Sequence, residues 1–375
     1  MSRRVVIVSE CADWGGSERV VQAAADLFPD APIVAGDFSH LRGPDVDEPP
    51  WASRAHRVPI GRRKHHFLAP LYARRLAATE IGPADVVLCF AHVGWGLGFE
   101  APGGARIVCY SAGLSRALYG HAGEYLCRYS APARAIVRAA LPALRAHDRR
   151  LMRRPDRMLT NSRASAADIA RIHARHAEVV HPPVRTSFFT PGAGRRRHAL
   201  AVARAVPHKR LDLVVEAFRG LDEELVVAGH GRELARLRAA APPNVRFTGF
   251  VSDEELRDLY RDSFALVCPS VEEFGIAMAE AHACGIPVIA PAAGGALEIV
   301  DDPATGILLD RVDAATLAEA VRAARTRAFE PEACRGSAER FSEERFAGEI
   351  RRVIDDDLQR GSAARPGAPE PALVA

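Results

Sequence analysis

The sequence lacks any long apolar run, and this excludes a membrane-spanning helix. No stretch of its 375 residues approaches the roughly 20 consecutive apolar residues that such a helix needs. The first apolar run, in MSRRVVIVSE, is short and ends at Glu10, which is typical of a first β-strand and not of a signal peptide. The sequence therefore predicts a cytoplasmic protein.

Lysine and net charge are also scarce. Lys64 and Lys209 are the only lysines among 50 basic residues, so each is an exception in a chain whose positive charge is arginine. A net charge of +3 is too small to predict nucleic-acid binding. A hydrophobic fraction of 48% with 26% charged residues is typical of a folded, soluble protein and excludes a disordered one.

Paired cysteine spacings are absent as well. The seven cysteines form an odd set, and several of them lie inside apolar, strand-like runs. Disulfide frameworks and metal sites usually show regular pairs. We therefore expect reduced cysteines that pack in the core.

Short apolar runs alternate with longer helical patterns along the chain, as they do in parallel βαβ units. The predicted strands are VVIVS, PIVAG, DVVLCF, RIVCYS, RMLTNS and EVVHPP in the first half, and HALAVAR, ELVVAGH, VRFTGF, FALVCPS and IPVIAP in the second. Pro191, Gly192 and Gly194 interrupt the chain between the halves. We therefore predict an α/β fold of two doubly wound, Rossmann-like domains that face each other across a cleft.

The predicted domains span residues 1–190 and 195–340. A final amphipathic helix at about residues 342–359 is expected to pack back on the first domain. Residues 361–375 are too rich in proline, alanine and glycine to fold alone, which predicts a disordered tail.

The segment Ala131 to Arg154 is a predicted helix that is rich in arginine and partly apolar. Two interpretations are open. Its face could rest on an anionic membrane, which would place the protein at the inner face of that membrane through a peripheral contact. A solvated helix packed on the first domain is the more common explanation.

The stretch SVEEFGIAMAEAHACGIPVIA places two acids, Glu272 and Glu280, around the predicted start of a helix. Such a helix begins at the carboxyl edge of the sheet, where doubly wound folds bind their ligands. Its first free N–H groups, near Phe274, Gly275 and Ile276, favour an anion such as a diphosphate.

The two acids allow a functional and a simpler interpretation. Glu280 lies one turn inside the predicted helix and can accept hydrogen bonds from a pair of hydroxyls such as those of a ribose. Glu272 precedes the helix, where it would meet the sugar end of a ligand. A capping acid and a solvated surface acid would give the same pattern, and the spacing alone favours this simpler interpretation.

Two cations follow a predicted strand in AVARAVPHKRLD. Arg204 and Lys209 lie in a turn that contains Pro207, so both can reach one anion. An exposed basic loop is the alternative. The rarity of lysine in this chain favours the anion site.

Two glycine turns could bring the backbone close to a ligand. VVAGHGRE has Gly229 and Gly231 around His230, and WGGSERVV has Gly15 and Gly16 between the first strand and the first helix. The second turn lacks the G-x-G-x-x-G spacing of a dinucleotide fingerprint. Each turn alone is weak evidence, since a simple tight turn gives the same pattern.

Taken together and in order, these motifs resemble the large retaining glycosyltransferase family 4, which has the two-domain GT-B fold. The resemblance covers nearly the whole chain. The matching segments are GGSERVV, RAHDRRLMRRPDRMLTNSRASAADI, EVVHPPVRTSFF, AVARAVPHKR, EEFGIAMAEAHACGIPVIA and AAGGALEIVDDPATGILL.

The resemblance implies a role for each charged residue. Arg204 and Lys209 would bind the diphosphate of the donor, Glu272 would contact the transferred sugar, and these three residues would carry catalysis. Glu280 would bind the nucleotide ribose. The other residues assigned to donor binding are the loop glycines, one histidine and the start of the helix: Gly15, Gly16, Gly229, His230, Phe274, Gly275 and Ile276.

The implied reaction is metal-independent and needs no cofactor. A hexose would pass with retention from a GDP- or UDP-sugar to a hydroxyl acceptor, which could be a glycan, a lipid-linked sugar or a small molecule. The RALY segment favours mannose. A sugar-nucleotide epimerase of the same architecture, or a noncatalytic nucleotide-sugar binding protein, is the alternative.

The run CYSAGLSRALY departs from the pattern of the family. Arg116, Leu118 and Tyr119 match it, whereas Ser111 or Ala112 stands where related enzymes have a histidine near the sugar. This departure leaves open which sugar is transferred and whether the protein has full activity.

Overall fold

The computed structural model describes residues 4–10, 16–37, 49–59, 69–91, 94–120, 122–127, 129–193, 195–301 and 303–363. Its contacts divide the chain into two compact units. The first comprises Met1–Asn161, Ser165–Val180 and Ala347–Ala375, and the second comprises Ser162–Ala164 and His181–Phe346. The main crossing between the units thus lies at Val180, before the proline and glycine cluster that begins at Pro191.

The described part of the first unit is built on a parallel sheet in the order β3-β2-β1-β4-β5-β6-β7. Its strands are β1 (Val5–Ser9), β2 (Ile33–Asp37), β3 (Ala55–Pro59), β4 (Val86–Phe90), β5 (Arg106–Ser111), β6 (Arg157–Thr160) and β7 (Glu178–Val179). Its first helices are α1 (Gly16–Leu27), α2 (Ala69–Ala77), α3 (Ala122–Leu126), α4 (Ala131–Leu151) and α5 (Arg163–His173). Every residue of β1 and β4 is buried, as expected for strands covered on both faces.

The described part of the second unit has a parallel sheet in the order β10-β9-β8-β11-β12-β13. Its strands are β8 (His198–Val202), β9 (Glu224–Ala228), β10 (Val245–Gly249), β11 (Ser263–Val267), β12 (Val288–Pro291) and β13 (Gly306–Leu309). Its helices are α6 (Leu211–Ala217), α7 (Leu234–Ala240), α8 (Asp253–Arg261), α9 (Ile276–Ala283), α10 (Ala296–Ile299), α11 (Ala314–Thr326) and α12 (Pro331–Glu339). The two apolar cores lie on opposite faces of this sheet, because successive strand residues point to opposite sides.

The last helix, α13 (Glu343–Ala363), returns the chain to the first unit. Its Asp357 is fully buried and accepts hydrogen bonds from Arg106 Nε at 2.6 Å and Arg157 Nη1 at 3.2 Å. Arg157 also bonds both carboxylate oxygens of Glu178 at 2.7 Å. Paired charges thus fix this helix to β5 and β6.

The helix extends beyond its predicted end, because Pro366 is the first residue there that cannot continue a helix. Residues 361–363 of the predicted tail are therefore helical. The remainder of that tail lies outside the described residues.

The predicted α/β class, with doubly wound parallel sheets, is confirmed, and every strand named from the sequence is present. The structure adds β3 and β13, which form the far edges of the two sheets. An edge strand needs little apolar surface, and in β3 only Val58 is buried. β3 therefore carries a weak apolar pattern that escapes detection in the sequence, whereas the other missed strand, β13, is apolar but only four residues long.

Candidate functional site

The candidate site lies at the carboxyl edge of the second sheet, where the fully buried strand β11 ends and α9 begins. Gly275 precedes the first residue of α9 with a φ of 99°, a left-handed conformation that favours glycine. The N–H groups of Phe274 and Gly275 have no acceptor within the part of the chain that the structure describes. The turn therefore leaves backbone donors at a helix start, which is a favourable place for an anion.

Two of the predicted charged residues meet at this edge. Lys209 Nζ donates hydrogen bonds to Glu272 Oε1 at 2.7 Å and to Oε2 at 2.5 Å. The two side chains are only 17% and 15% exposed. They come together because β8 and β11 are neighbours in the sheet, so the turns that follow these two strands lie side by side.

Ser270 also holds Glu272, and sequence reasoning did not identify it. Its hydroxyl donates a hydrogen bond to Glu272 Oε1 at 2.6 Å. One carboxylate oxygen thus accepts from both a hydroxyl and an ammonium group, which fixes its position. The position of Ser270 two residues before Glu272 was the only available signal in the sequence.

The nearby Cys268 is a partly buried thiol. Burial, and then the negative charge of Glu272, raise the pKa of Cys268 to about 12. The thiol is therefore protonated at neutral pH and supplies no charge to the site.

A pair of glycines holds the turn that carries Glu272. Gly295 N donates a hydrogen bond to Glu272 O at 2.9 Å. A Cβ atom at Gly294 would lie 2.3 Å from Glu272 O, and one at Gly295 would lie 2.0 Å from Phe274 O. No other residue type fits this close backbone contact, so both positions are site residues that the sequence-based assignment missed.

The side chain of Phe274 belongs to the core. It is buried, and its ring packs against those of His181 and Phe341 with centroids 5.7 Å and 5.1 Å away. Only its backbone can face a ligand, as the sequence analysis proposed. Ile276, the first residue of α9, is half-buried.

Glu280 lies within α9 and is 3% exposed. The hydroxyl of Tyr260 on α8 donates a hydrogen bond to Glu280 Oε2 at 3.1 Å. The carboxylate is thus part of the packing between two helices. Its contact with a ribose stays a prediction.

Arg204 takes no part in the contact between Lys209 and Glu272. Its side chain is exposed and makes no hydrogen bond or ion pair with any residue in the described ranges. Its guanidinium group is free to bind an anion. The structure therefore leaves one of the two predicted cations paired and the other available.

The glycines around His230 have a structural explanation. With φ values of 135° and 151°, Gly229 and Gly231 would place a Cβ atom 2.1 Å and 2.5 Å from the carbonyl oxygens of Ala203 and Ala205. Close packing of two loops thus requires glycine here, whether or not a ligand binds. His230 packs its ring against Phe250, which is exposed, with centroids 5.8 Å apart.

A histidine–glutamate pair lies next to the glycine pair and was not predicted. Glu298 on α10 has Oε2 2.8 Å from His181 Nε2, and its Oε1 accepts a hydrogen bond from Arg163 N at 2.7 Å. Burial raises the pKa of the Glu298 carboxyl, but the hydrogen bonds from His181 and Arg163 outweigh burial and leave this pKa below its usual value. The carboxylate is therefore ionised at neutral pH.

The predicted glycines of the first unit are only partly described. Gly16 is the exposed first residue of α1, and Gly15 lies outside the described residues. A cavity of about 20 Å³ at the carboxyl ends of β1, β4 and β5 is lined by Glu10, Glu18 and Ala112 among others. Ala112, one of the two positions where a histidine was expected, therefore lines this small cavity.

Tyr119 of the RALY segment belongs to a buried cluster. Its hydroxyl donates a hydrogen bond to Asp148 Oδ2 at 2.9 Å, and Gly94 N donates to Oδ1 at 2.6 Å. Burial raises the pKa of Asp148 to about 6 and lowers that of the adjacent His173 to about 4. Tyr119 thus supports α4 and the turn at Gly94.

Within the described ranges, no group of three or more His, Cys, Asp or Glu side chains is arranged to hold a metal ion.

Comparison with known proteins identifies relatives of part of the chain. Residues 186–341 match the family model for glycosyl transferases group 1. A D-inositol 3-phosphate glycosyltransferase of Salinispora arenicola is 34% identical over 203 residues, which is 44% of this chain and 45% of the relative. A GDP-mannose-dependent alpha-(1-6)-phosphatidylinositol monomannoside mannosyltransferase of Mycolicibacterium smegmatis is 32% identical over 213 residues, covering 48% and 56% of the two chains. The chain spans about half the length of these curated relatives.

Solved structures share the whole fold at low sequence identity. Anabaena HepE in complex with UDP and glucose superimposes with a TM-score of 0.67 at 16% identity, covering 94% of this chain and all of that one. Sucrose-phosphate synthase from Thermosynechococcus elongatus gives a TM-score of 0.72 at 19% identity, covering 96% of this chain and all of that one. The architecture is therefore GT-B. The resemblance recognised from the sequence motifs is confirmed for this region, since residues 186–341 match the family model for glycosyl transferases group 1.

Proposed function

We propose that this protein is a retaining, metal-independent glycosyltransferase of family 4 that moves a hexose from a nucleotide-diphosphate sugar to a hydroxyl acceptor. The single observation that carries the proposal is the meeting of Lys209, Glu272 and Ser270 at the open start of α9. This arrangement combines a cation and free backbone donors with an acid that could contact a sugar.

The diphosphate of the donor would bind at the start of α9. The N–H groups of Phe274 and Gly275 would donate hydrogen bonds to its oxygens, and the helix dipole favours the negative charge. Arg204, which has no partner in the described ranges, would add a guanidinium group. Lys209 would turn from Glu272 to the diphosphate and release that carboxylate for the hydroxyls of the sugar.

The reaction would replace one bond at the anomeric carbon by another on the same face. The bond from this carbon to the diphosphate oxygen breaks, the bond to the acceptor oxygen forms, and the acceptor proton passes to the departing diphosphate. The protein would supply charge stabilisation in place of a strong base. Preorganised donors of this kind are typically worth about a hundredfold in rate each.

The relatives suggest which donors to test first. The mannosyltransferase of Mycolicibacterium smegmatis is described as GDP-mannose-dependent, and Anabaena HepE was solved with UDP and glucose. Both nucleotides are therefore candidates. The acceptor is proposed only as a hydroxyl compound.

Nucleotide binding tests the proposal most directly. The melting temperature should be measured with GDP, UDP, GDP-mannose and UDP-glucose, because a ligand that binds the folded state raises it. We expect either the guanosine compounds or the uridine compounds to raise the melting temperature of the protein. The variant Lys209→Ala should lose this increase. The matched control Arg246→Ala, at an exposed residue of β10, should keep it.

Turnover then separates the alternatives. A glycosyltransferase consumes the stabilising donor with an acceptor panel, keeps the anomeric configuration in the product by NMR, and is insensitive to EDTA. An epimerase changes the configuration of the free nucleotide sugar without any acceptor. Binding without turnover identifies a noncatalytic protein, and no binding by any nucleotide contradicts all three functions.

A further inference from the structure

One face of α4 presents an unusual combination of side chains to solvent. On its inner side Leu141, Leu144 and Leu151 are buried. On its outer side Ile136, which is 70% exposed, and several alanines and prolines lie among exposed arginines. We call this surface the arginine face and define it by Ile136, Arg138, Pro142, Arg149 and Arg150.

The arginine face carries positive charge with no opposing acid on its helix. Asp148 is the only acidic residue of α4, and it is buried on the inner side. The side chains of Arg138, Arg149 and Arg150 make no hydrogen bond or ion pair with any residue in the described ranges. By contrast, Arg145 on the same helix donates a hydrogen bond to Leu118 O at 2.8 Å. The exposed arginines are therefore not used to hold the fold together.

We propose that the arginine face docks on the anionic headgroups of a lipid bilayer. Guanidinium groups bind phosphate oxygens as a planar fork, and each adds to the attraction by a negatively charged membrane. Ile136 and the neighbouring alanine and proline side chains enter the boundary between headgroups and acyl chains, as the apolar side of an interfacial helix does. The contact is peripheral, since no helix in the described ranges combines the length and the apolar character that crossing a bilayer requires.

The composition of the face favours a lipid surface over a nucleic acid. Single-stranded nucleic acids are bound by aromatic side chains interleaved with cations, and α4 contains no phenylalanine, tyrosine or tryptophan. A phosphate backbone alone also gives no reason for an exposed isoleucine. A membrane surface with anionic headgroups accounts for both the exposed arginines and the exposed isoleucine of this face.

The neighbouring helix α2 also combines exposed arginines with an exposed aliphatic side chain. α2 contacts α4 and exposes Leu71 together with Arg74 and Arg75. It contains no acidic residue. A second basic helix with an exposed aliphatic side chain thus lies beside the first.

Vesicle binding by the full chain tests the proposal. Sedimentation should be measured with vesicles of phosphatidylcholine alone and with vesicles in which phosphatidylglycerol replaces part of it. We expect binding only to the anionic vesicles and release at high salt, because screening weakens exposed charge interactions. The triple variant R138E/R149E/R150E should weaken this binding roughly tenfold or more. The matched control R195E/R246E/R351E, which reverses three exposed arginines elsewhere, should change it far less.

A second variant distinguishes lipid from other polyanions. Ile136→Ser should weaken vesicle binding severalfold without changing any retention on heparin or duplex DNA. Equal loss in the two triple variants, equal binding to neutral vesicles, or unchanged vesicle binding by Ile136→Ser would each overturn the proposal. Consumption of the sugar donor with a water-soluble acceptor should be the same in the α4 triple variant, so failure of membrane docking is separable from failure of the proposed function.

Discussion

At the scale of single residues, the central feature is a carboxylate with several simultaneous partners. Glu272 accepts hydrogen bonds from Lys209 and Ser270 through its side chain and from Gly295 through its backbone. The sequence predicted that Lys209 and Glu272 serve one ligand. It could not predict their direct contact, because 63 residues separate them and only the pairing of β8 with β11 brings them together.

Replacing Lys209 by alanine should lower kcat/KM for the sugar donor by about a hundredfold, because a cation that stabilises the leaving diphosphate is lost. The fold should remain, since the pair is at the rim of the sheet and partly exposed. Steady-state kinetics and circular dichroism measure the two effects. A variant with normal kinetics would remove Lys209 from the reaction.

Ser270→Ala should act through Glu272. We expect about a tenfold lower kcat/KM, while loss of one hydrogen bond should cost only about 1 kcal/mol in the free energy of unfolding. Ser270→Thr keeps a hydroxyl and should restore part of the activity. Equal activity in both variants and the parent would show that the serine only fills space.

At the scale of elements, backbone contacts decide features that the sequence leaves open. The glycines at positions 294 and 295 look like an ordinary turn in AAGGALE, and their role arises only where α10 begins against the turn before α9. Likewise, Gly229 was predicted to admit a ligand, and the structure gives it a packing role against Ala203. A pattern of glycines predicts a close approach but not what approaches.

Gly295→Ala should destabilise the second unit by about 1–3 kcal/mol, because the new Cβ atom would meet backbone that cannot move aside. It should also lower nucleotide binding by displacing the start of α9. The matched control is Gly336→Ala in α12, where an added Cβ meets nothing within 4 Å. This change should be neutral or stabilising, because alanine favours a helix over glycine by up to about 1 kcal/mol. Urea unfolding compares the two variants.

The buried pair of Asp148 on α4 and His173 at the end of α5 should give opposing pH effects. The pKa of Asp148 is raised from 3.8 to about 6, so the folded state holds its proton longer and stability falls as pH rises between these values. The pKa of His173 is lowered from 6.5 to about 4, so stability rises with pH over that range.

Single substitutions should expose each half of this balance. We compare each variant with the parent between pH 4 and 6.5. Relative to the parent, the stability of His173→Gln should decrease as pH rises, and the stability of Asp148→Asn should increase as pH rises. Melting temperatures across this range test the signs. Parallel pH profiles in the two variants would contradict the assignment.

At the scale of the whole molecule, the architecture followed from the sequence more completely than the site did. Alternating apolar runs and helical patterns gave the parallel sheets, because buried parallel strands are continuous apolar segments. The residues that α13 contacts were harder to predict from the sequence. Its Asp357 looks like one member of a solvated acidic run, yet it is the buried partner of two arginines on the first sheet.

Asp357→Ala should therefore destabilise the first unit by about 3 kcal/mol, because it leaves two partly buried guanidinium groups without their shared carboxylate. The matched control Asp356→Ala removes an adjacent acid whose side chain is 41% exposed, and it should cost less than about 1 kcal/mol. Thermal unfolding of both variants gives the comparison. Equal costs would mean that burial of Asp357 contributes nothing.

The return of α13 also sets an order for assembly on the ribosome. The second unit is almost continuous from His181 to Phe346, so all but a few of its residues emerge together, and it can fold while translation continues. The first unit needs Asp357 from α13, which leaves the exit tunnel after the second unit. The half of the protein that is synthesised first is thus the half whose buried charge cluster is completed last.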